Sequence, residues 1–157
     1  DQGGIISQGP VTLNAGTLDS TAGVLLSGDT LSLTAGAVNN TSGQVVANGL
    51  LGWTSQALNN QSGLIQGKGI SINTAGQTLD NRHGTLNSLQ ELTVSTGAMD
   101  NRGGTVGAKT TADLSTTSLD NRDGGRLVSE GEFRLHTGSL QNSHGQIQSV
   151  DDMLLDG

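Results

Sequence analysis

Three aspartates recur at fixed spacing in this 157-residue chain, Asp80, Asp100 and Asp120, each followed two residues later by an arginine, Arg82, Arg102 and Arg122. Paired carboxylates on one face can do acid–base or nucleophilic work on sugars. Such a pair functions only when two different environments separate its pKa values. These three sit in nearly identical phrases with a cation beside each, so the pattern predicts a charged surface ladder rather than a catalytic pair or a metal site. An asparagine column runs alongside: Asn40, Asn60, Asn81, Asn101, Asn121 and Asn142. One residue type at one place in successive repeats predicts a ladder of side-chain amides bonding one another and local backbone. The histidines do not converge. His83 and His144 share a turn position about three repeats apart, roughly 14 Å at strand spacing, and His136 is expected to face outward. A metal site needs ligands within about 2.0–2.3 Å of the ion. Serines and threonines abound, but there is no G-x-S-x-G elbow and no phosphate-binding G-x-x-x-x-G-K-[ST] loop, and Lys68 and Lys109 stand alone. No catalytic, metal-binding or cofactor-binding residue is assigned.

The elements that carry these residues follow from an internal repeat. Apolar anchors at Leu18, Val38, Leu58, Leu79, Met99, Leu119 and Leu140 are spaced by 20 or 21 residues. Five residues after each comes a glycine: Gly23, Gly43, Gly63, Gly84, Gly104, Gly124 and Gly145. Two further on comes an aliphatic, Leu25, Val45, Ile65, Leu86, Val106 and Ile147; after Leu119 one extra residue hands the register to Gly125 and Leu127. An apolar pair at period 2 completes each repeat: Leu31/Leu33, Leu51/Trp53, Ile70/Ile72, Leu92/Val94, Ala112/Leu114, Phe133/Leu135 and Met153/Leu155, with Ile6, Val11 and Leu13 in the first, partial repeat. Period 2 means strands with both side chains on one face. Glycines and Asn-x-x-Gly stretches mean turns. The expected core columns include Leu33, Trp53, Ile72, Val94, Leu114 and Leu135. Trp53 reads as a core filler, its rival reading being an exposed platform for stacking a sugar. A single repeat buries too little to offset the ordering of its own backbone. Stacked repeats share hydrogen bonds and contacts, as in other solenoids.

Composition narrows the partners. Aromatics are 1% of residues and net charge is −7 with only seven Lys and Arg, so nucleic acid and anionic membranes are poor partners. Low charge density with a strict period also argues against disorder. No stretch is apolar enough to span a bilayer as a helix, and no N-terminal signal peptide is visible.

The phrases Leu79-Asp80-Asn81-Arg82-His83-Gly84-Thr85-Leu86 and Met99-Asp100-Asn101-Arg102-Gly103-Gly104-Thr105-Val106, joined to Leu31-Ser32-Leu33-Thr34-Ala35-Gly36, closely resemble the haemagglutinin repeats of filamentous haemagglutinin and its relatives, among them contact-dependent growth-inhibition proteins that deliver toxins. The resemblance covers essentially the whole chain and departs from the pattern at Ser20, where Asn is expected, and in the 21-residue repeats. It implies an all-β fold, a right-handed parallel β-helix of about eight 20-residue coils, the hand agreeing with the general chirality of parallel crossovers. It further implies a very large bacterial exoprotein, secreted through an outer-membrane two-partner transporter to the cell surface.

The sequence therefore reads as one structural stalk segment over residues 1–157, excised from a longer filament and not an enzyme. Its parent would serve adhesion to a host or neighbouring-cell receptor or glycan, or projection of a toxin. A receptor- or glycan-binding module on one face is the alternative; a polysaccharide-degrading β-helix enzyme comes third. No cap is recognisable at Asp1-Gln2-Gly3-Gly4 or after Leu155. Ile6, Val11, Met153 and Leu155 are thus expected beside open coil edges, with end-to-end self-association or fraying of the outer coils.

Overall fold

The computed structural model describes residues 3–157, and Asp1 and Gln2 of the opening phrase lie outside them. Among the described residues there is no helix. The coils stack into three parallel sheets, two of eight strands and one of seven, one strand per coil in each. The first sheet stacks Gly4–Ser7, Val24–Ser27, Gln44–Ala47, Leu64–Gly67, Thr85–Ser88, Thr105–Ala108, Arg126–Ser129 and Gln146–Ser149. The second stacks Val11–Ala15, Leu31–Ala35, Leu50–Thr54, Gly69–Asn73, Leu92–Ser95, Ala112–Thr116, Phe133–Thr137 and Met153–Asp156. The third is built from the short strands that carry the anchors, from Leu18–Asp19 to Leu140–Gln141. This is a parallel β-solenoid of about eight coils, each of about 20 residues.

Register follows the repeat. Leu33 pairs with Trp53, Trp53 with Ile72, Ile72 with Val94, Val94 with Leu114 and Leu114 with Leu135. All six are buried. Alternation on a strand turns their neighbours outward, so Thr93 is exposed between buried Leu92 and Val94. In one 21-residue coil the corner at Lys68 is short, so that Ile70 pairs with Leu51, and the bulging corner Thr74–Gln77, with Ala75 and Gly76 at positive φ, more than makes up the length before Leu79 pairs with Leu58. The extra residue after Leu119 is absorbed where Asp123 and Gly124 both take positive φ, and Leu127 then pairs with Val106.

Trp53 is 2% exposed, which removes the sugar-platform reading. Its indole Nε1 donates to Ser55 Oγ at 3.0 Å, so the one tryptophan enters the core with its polar atom satisfied.

Ile6 corrects the sequence reading. It pairs with Leu26, in an outward column, and is 71% exposed, whereas Ile5 pairs with buried Leu25 and holds the inward register. Ile5 and Ile6 are adjacent and equally apolar, so the alternation could be phased either way from sequence. In the last described coil Met153 and Leu155 keep inward register with Phe133 and Leu135 but are 39% and 47% exposed, with a described coil on one side only.

Candidate functional site

The corner between the third and first sheets carries both repeated polar columns. Each anchor points inward, the next residue outward and the Asn inward again. Asn40, Asn60, Asn81, Asn101 and Asn121 are fully buried. The Nδ2 of each donates to the Oδ1 of the Asn one coil on: Asn40 to Asn60, Asn60 to Asn81, Asn81 to Asn101 and Asn101 to Asn121 at 2.8 Å, and Asn121 to Asn142 at 2.7 Å. A second contact from each Nδ2 reaches a main-chain carbonyl of the following coil, such as Thr105 O from Asn81 at 3.3 Å and Arg126 O from Asn101 at 3.2 Å. Asn60, Asn81, Asn101 and Asn121 are thus each donor and acceptor along one column, which lets a row of amides be buried at little cost.

Asn101→Ala is expected to cost about 2–3 kcal/mol, because it strands Asn121 Oδ1 in the core and opens a cavity. Urea unfolding followed by circular dichroism measures it. A loss below about 1 kcal/mol would mean the column is not an energetic unit.

The glycine after each Asn serves this column. A Cβ on Gly104 would sit 2.1 Å from Asn81 O and 2.6 Å from Asn101 Oδ1, and Gly63 and Gly84 are placed alike. The positive φ of the turn lies one residue earlier, at Ala22, Ser42, Ser62, His83, Gly103 and His144. Only Gly103 among these is glycine, and His83 and His144 share this turn position in a left-handed conformation.

The outward column beside the amides holds Asp19, Asn39, Asn59, Asp80, Asp100 and Asp120. Each accepts the backbone N–H two residues on, at 3.0–3.2 Å. These are Asx turns, which start the corner. The Asp or Asn after each anchor through Leu119 is legible in the sequence as part of the repeat, and at three positions as charge, but not as a turn acceptor. Arg82, Arg102 and Arg122 then close onto Asp80, Asp100 and Asp120 at 2.7–2.8 Å. They also reach the next coil, Arg82 to Asp100 at 3.7 Å and Arg102 to Asp120 at 3.6 Å.

Electrostatics oppose catalysis here. Arg122's hydrogen bond holds the Asp120 carboxyl below its ordinary value. At Asp80 burial pushes upward, but hydrogen bonds from Arg82 and Gln61 prevail and the net shift is downward. A general acid on a sugar needs a raised pKa. These groups are held ionised and occupied by guanidinium.

The sign of the pH effect follows. Carboxylates with depressed folded pKa values contribute stability that is present above their unfolded value and lost as pH falls through the folded one. Melting temperature is expected to drop below about pH 4. In Asp80→Asn/Asp120→Asn, which keeps both Asx acceptors, that drop should be shallower. An equally steep acid limb would remove these ion pairs from the account. Asp100→Asn should be nearly neutral at pH 7 for the same reason, and Asp100→Ala should cost about 1 kcal/mol through its lost turn.

Two further polar features escaped the sequence reading. A file of buried hydroxyls, Ser55, Thr74, Thr96, Thr116 and Thr137, lines the corner after the second sheet, with Thr74 Oγ1 donating to Thr96 Oγ1 at 2.7 Å and Thr116 Oγ1 to Thr137 Oγ1 at 2.8 Å. On the outer face of the second sheet Ser115, His136 and Asp156 fall in one register column, and His136 Nδ1 lies 2.6 Å from Asp156 Oδ1. All three are exposed, and no hydrogen bond among the described residues joins Ser115 to His136. Among the described residues no group of three or more His, Cys, Asp or Glu converges on a point that could hold a metal.

The geometry is that of a repeated structural corner, and comparison with known proteins gives the same repeat. A family model described as haemagglutinin repeat matches residues 1–55, 36–83, 70–136 and 108–157, four overlapping stretches that span the chain. The chain belongs to the haemagglutinin repeat family. Searches of curated proteins and of solved structures returned no match. Haemagglutinin repeats are segments of filamentous-haemagglutinin-like secreted surface exoproteins, and the family is typically structural or adhesive rather than catalytic. In these terms the Asn ladder, its glycines and the Asx column are what the repeat phrase encodes.

Proposed function

We propose that this chain is a stalk segment of a large bacterial surface exoprotein, and that its function is reach: it holds an adhesive or toxin-bearing region away from the cell. Secretion through a two-partner outer-membrane transporter and continuation of the coils into a longer filament belong to the same reading. The observation that carries it is the unbroken Asn ladder from Asn40 to Asn142, which makes successive coils mechanically alike and leaves no coil specialised for chemistry. Receptor contact then lies elsewhere in the parent.

One observation favours the second reading, a binding face. Ile6, Leu26 and Val46 stack in a single outward column of the first sheet, where later coils place Gln66, Asn87 and Gly107. An aliphatic stripe on an outer face is a feature of interaction surfaces. A glycan array and a cell-binding assay with the isolated chain separate the two. The stalk reading expects no saturable binding. Saturable binding lost in Leu26→Gln/Val46→Gln, with melting unchanged, would replace it by the binding-face reading. Release of sugars from any glycan would overturn both.

A further inference from the structure

The Asn ladder has one irregular rung. At Ser20 the backbone repeats the geometry of the Asn positions: Ser20 N donates to Asn39 O as Asn40 N does to Asn59 O, and Ser20 O accepts from Gly23 N as Asn40 O does from Gly43 N. The side chain differs. In the next coil Asn40 Nδ2 reaches three acceptors: Asn60 Oδ1 at 2.8 Å, Leu64 O at 3.3 Å and Gly43 O at 3.5 Å. Asn60, Asn81 and Asn101 repeat that trio. Shifted back one coil, the same three acceptors are Asn40 Oδ1, Gln44 O and Gly23 O. No donor among the described residues reaches Asn40 Oδ1, although Asn40 is completely buried. Gly23 O already takes one N–H, from Gln44 at 2.9 Å, and keeps a second lone pair.

We propose that Ser20, Gly23, Asn40 and Gln44 form a binding site for one small multi-donor species that stands in for the amide nitrogen of the other rungs. The shared chemistry is an all-oxygen acceptor set satisfied by a compact donor, which is water or an ammonium ion. A buried acceptor left without a donor costs on the scale of a lost hydrogen bond, and a bound water with about three partners is the usual remedy. Ser20 and Gly23 also line a cleft together with Leu18 and Asp19.

The test is Ser20→Asn, which offers the site its own amide. The variant should melt about 2–4 °C higher than the parent chain, because a tethered amide replaces an immobilised small species and releases it to solvent. Ser20→Ala, which supplies no donor, should show no rise. A crystal structure of the parent chain should show one ordered species within hydrogen-bonding distance of Asn40 Oδ1, displaced in Ser20→Asn by the new amide nitrogen. Melting in ammonium chloride against tetramethylammonium chloride distinguishes the sources. An ammonium-specific rise that Ser20→Asn abolishes assigns the ion, and equal melting in the two salts assigns water. An unchanged or lower melting temperature for Ser20→Asn, or no ordered species at Asn40 Oδ1, overturns the proposal.

Discussion

Leu92→Asp is expected to unfold the stack, while Thr93→Asp one residue along is expected to leave it standing. Leu92 is 1% exposed and lies in register between Ile70 and Ala112, with aliphatic side chains on both sides along the column. A carboxylate there has no cation and no hydrogen-bond donor in reach, so it is either buried charged or protonated against its intrinsic pKa. The cost should be at least about 4 kcal/mol, a large part of the stability of an ordinary domain. Thr93 faces solvent and pairs with Ser71 and Asp113. Asp there adds a like charge beside Asp113, worth at most about 1 kcal/mol. Thermal unfolding followed by circular dichroism compares them, and equal losses would mean the inward and outward columns are wrongly phased.

Gly104→Ala should be nearly as damaging, although one methyl group is all it adds. The new carbon would overlap Asn81 O at 2.1 Å and Asn101 Oδ1 at 2.6 Å, and both belong to hydrogen-bonded columns that cannot retreat without breaking. About 3 kcal/mol or more is expected, at the upper end of overpacking costs. Gly103→Ala provides the contrast. Gly103 has the left-handed φ of +65°, and an added Cβ meets only the His83 ring, an end that can swing aside. Its cost should stay near 1 kcal/mol, since Ala, Ser and His already occupy the same turn position in other coils. The order Gly104 far above Gly103 is opposite to what positive φ alone would give. Urea denaturation of the two variants decides it.

What could be read in the sequence was whatever repeats with a physical period. Leu33, Trp53, Ile72, Val94, Leu114 and Leu135 alternate with polar neighbours and recur every coil, so strand, face and stacking direction all follow from spacing. The Asn column was visible because one residue type recurs at one offset. The glycine after it was visible as well, but for the wrong reason. A turn glycine suggests positive φ, and here the constraint is contact with the coil before, which only coordinates reveal. The Asp column was legible as charge at Asp80, Asp100 and Asp120 and illegible as a turn device, because Asn39 and Asn59 do the same work without charge. Thr74, Thr96, Thr116 and Thr137 look like surface hydroxyls in sequence, and they are buried because each finds a hydroxyl or carbonyl partner at the corner. Ile6 was misphased because the first coil offers two isoleucines in a row and no polar residue between them.

In a stack of coils, sequence separation converts into axial distance one coil at a time. The protein has no cysteine, so spin labels can be attached at chosen positions. Asn14, Thr34, Thr54, Asn73, Ser95, Ser115 and His136 form one outward register column. Dipolar distances measured from Asn14 to Ser95, Ser115 and His136 should rise in equal steps of about 4.8 Å, reaching roughly 29 Å for the last pair. Distances that level off or fall as the separation grows would contradict a stacked-coil rod.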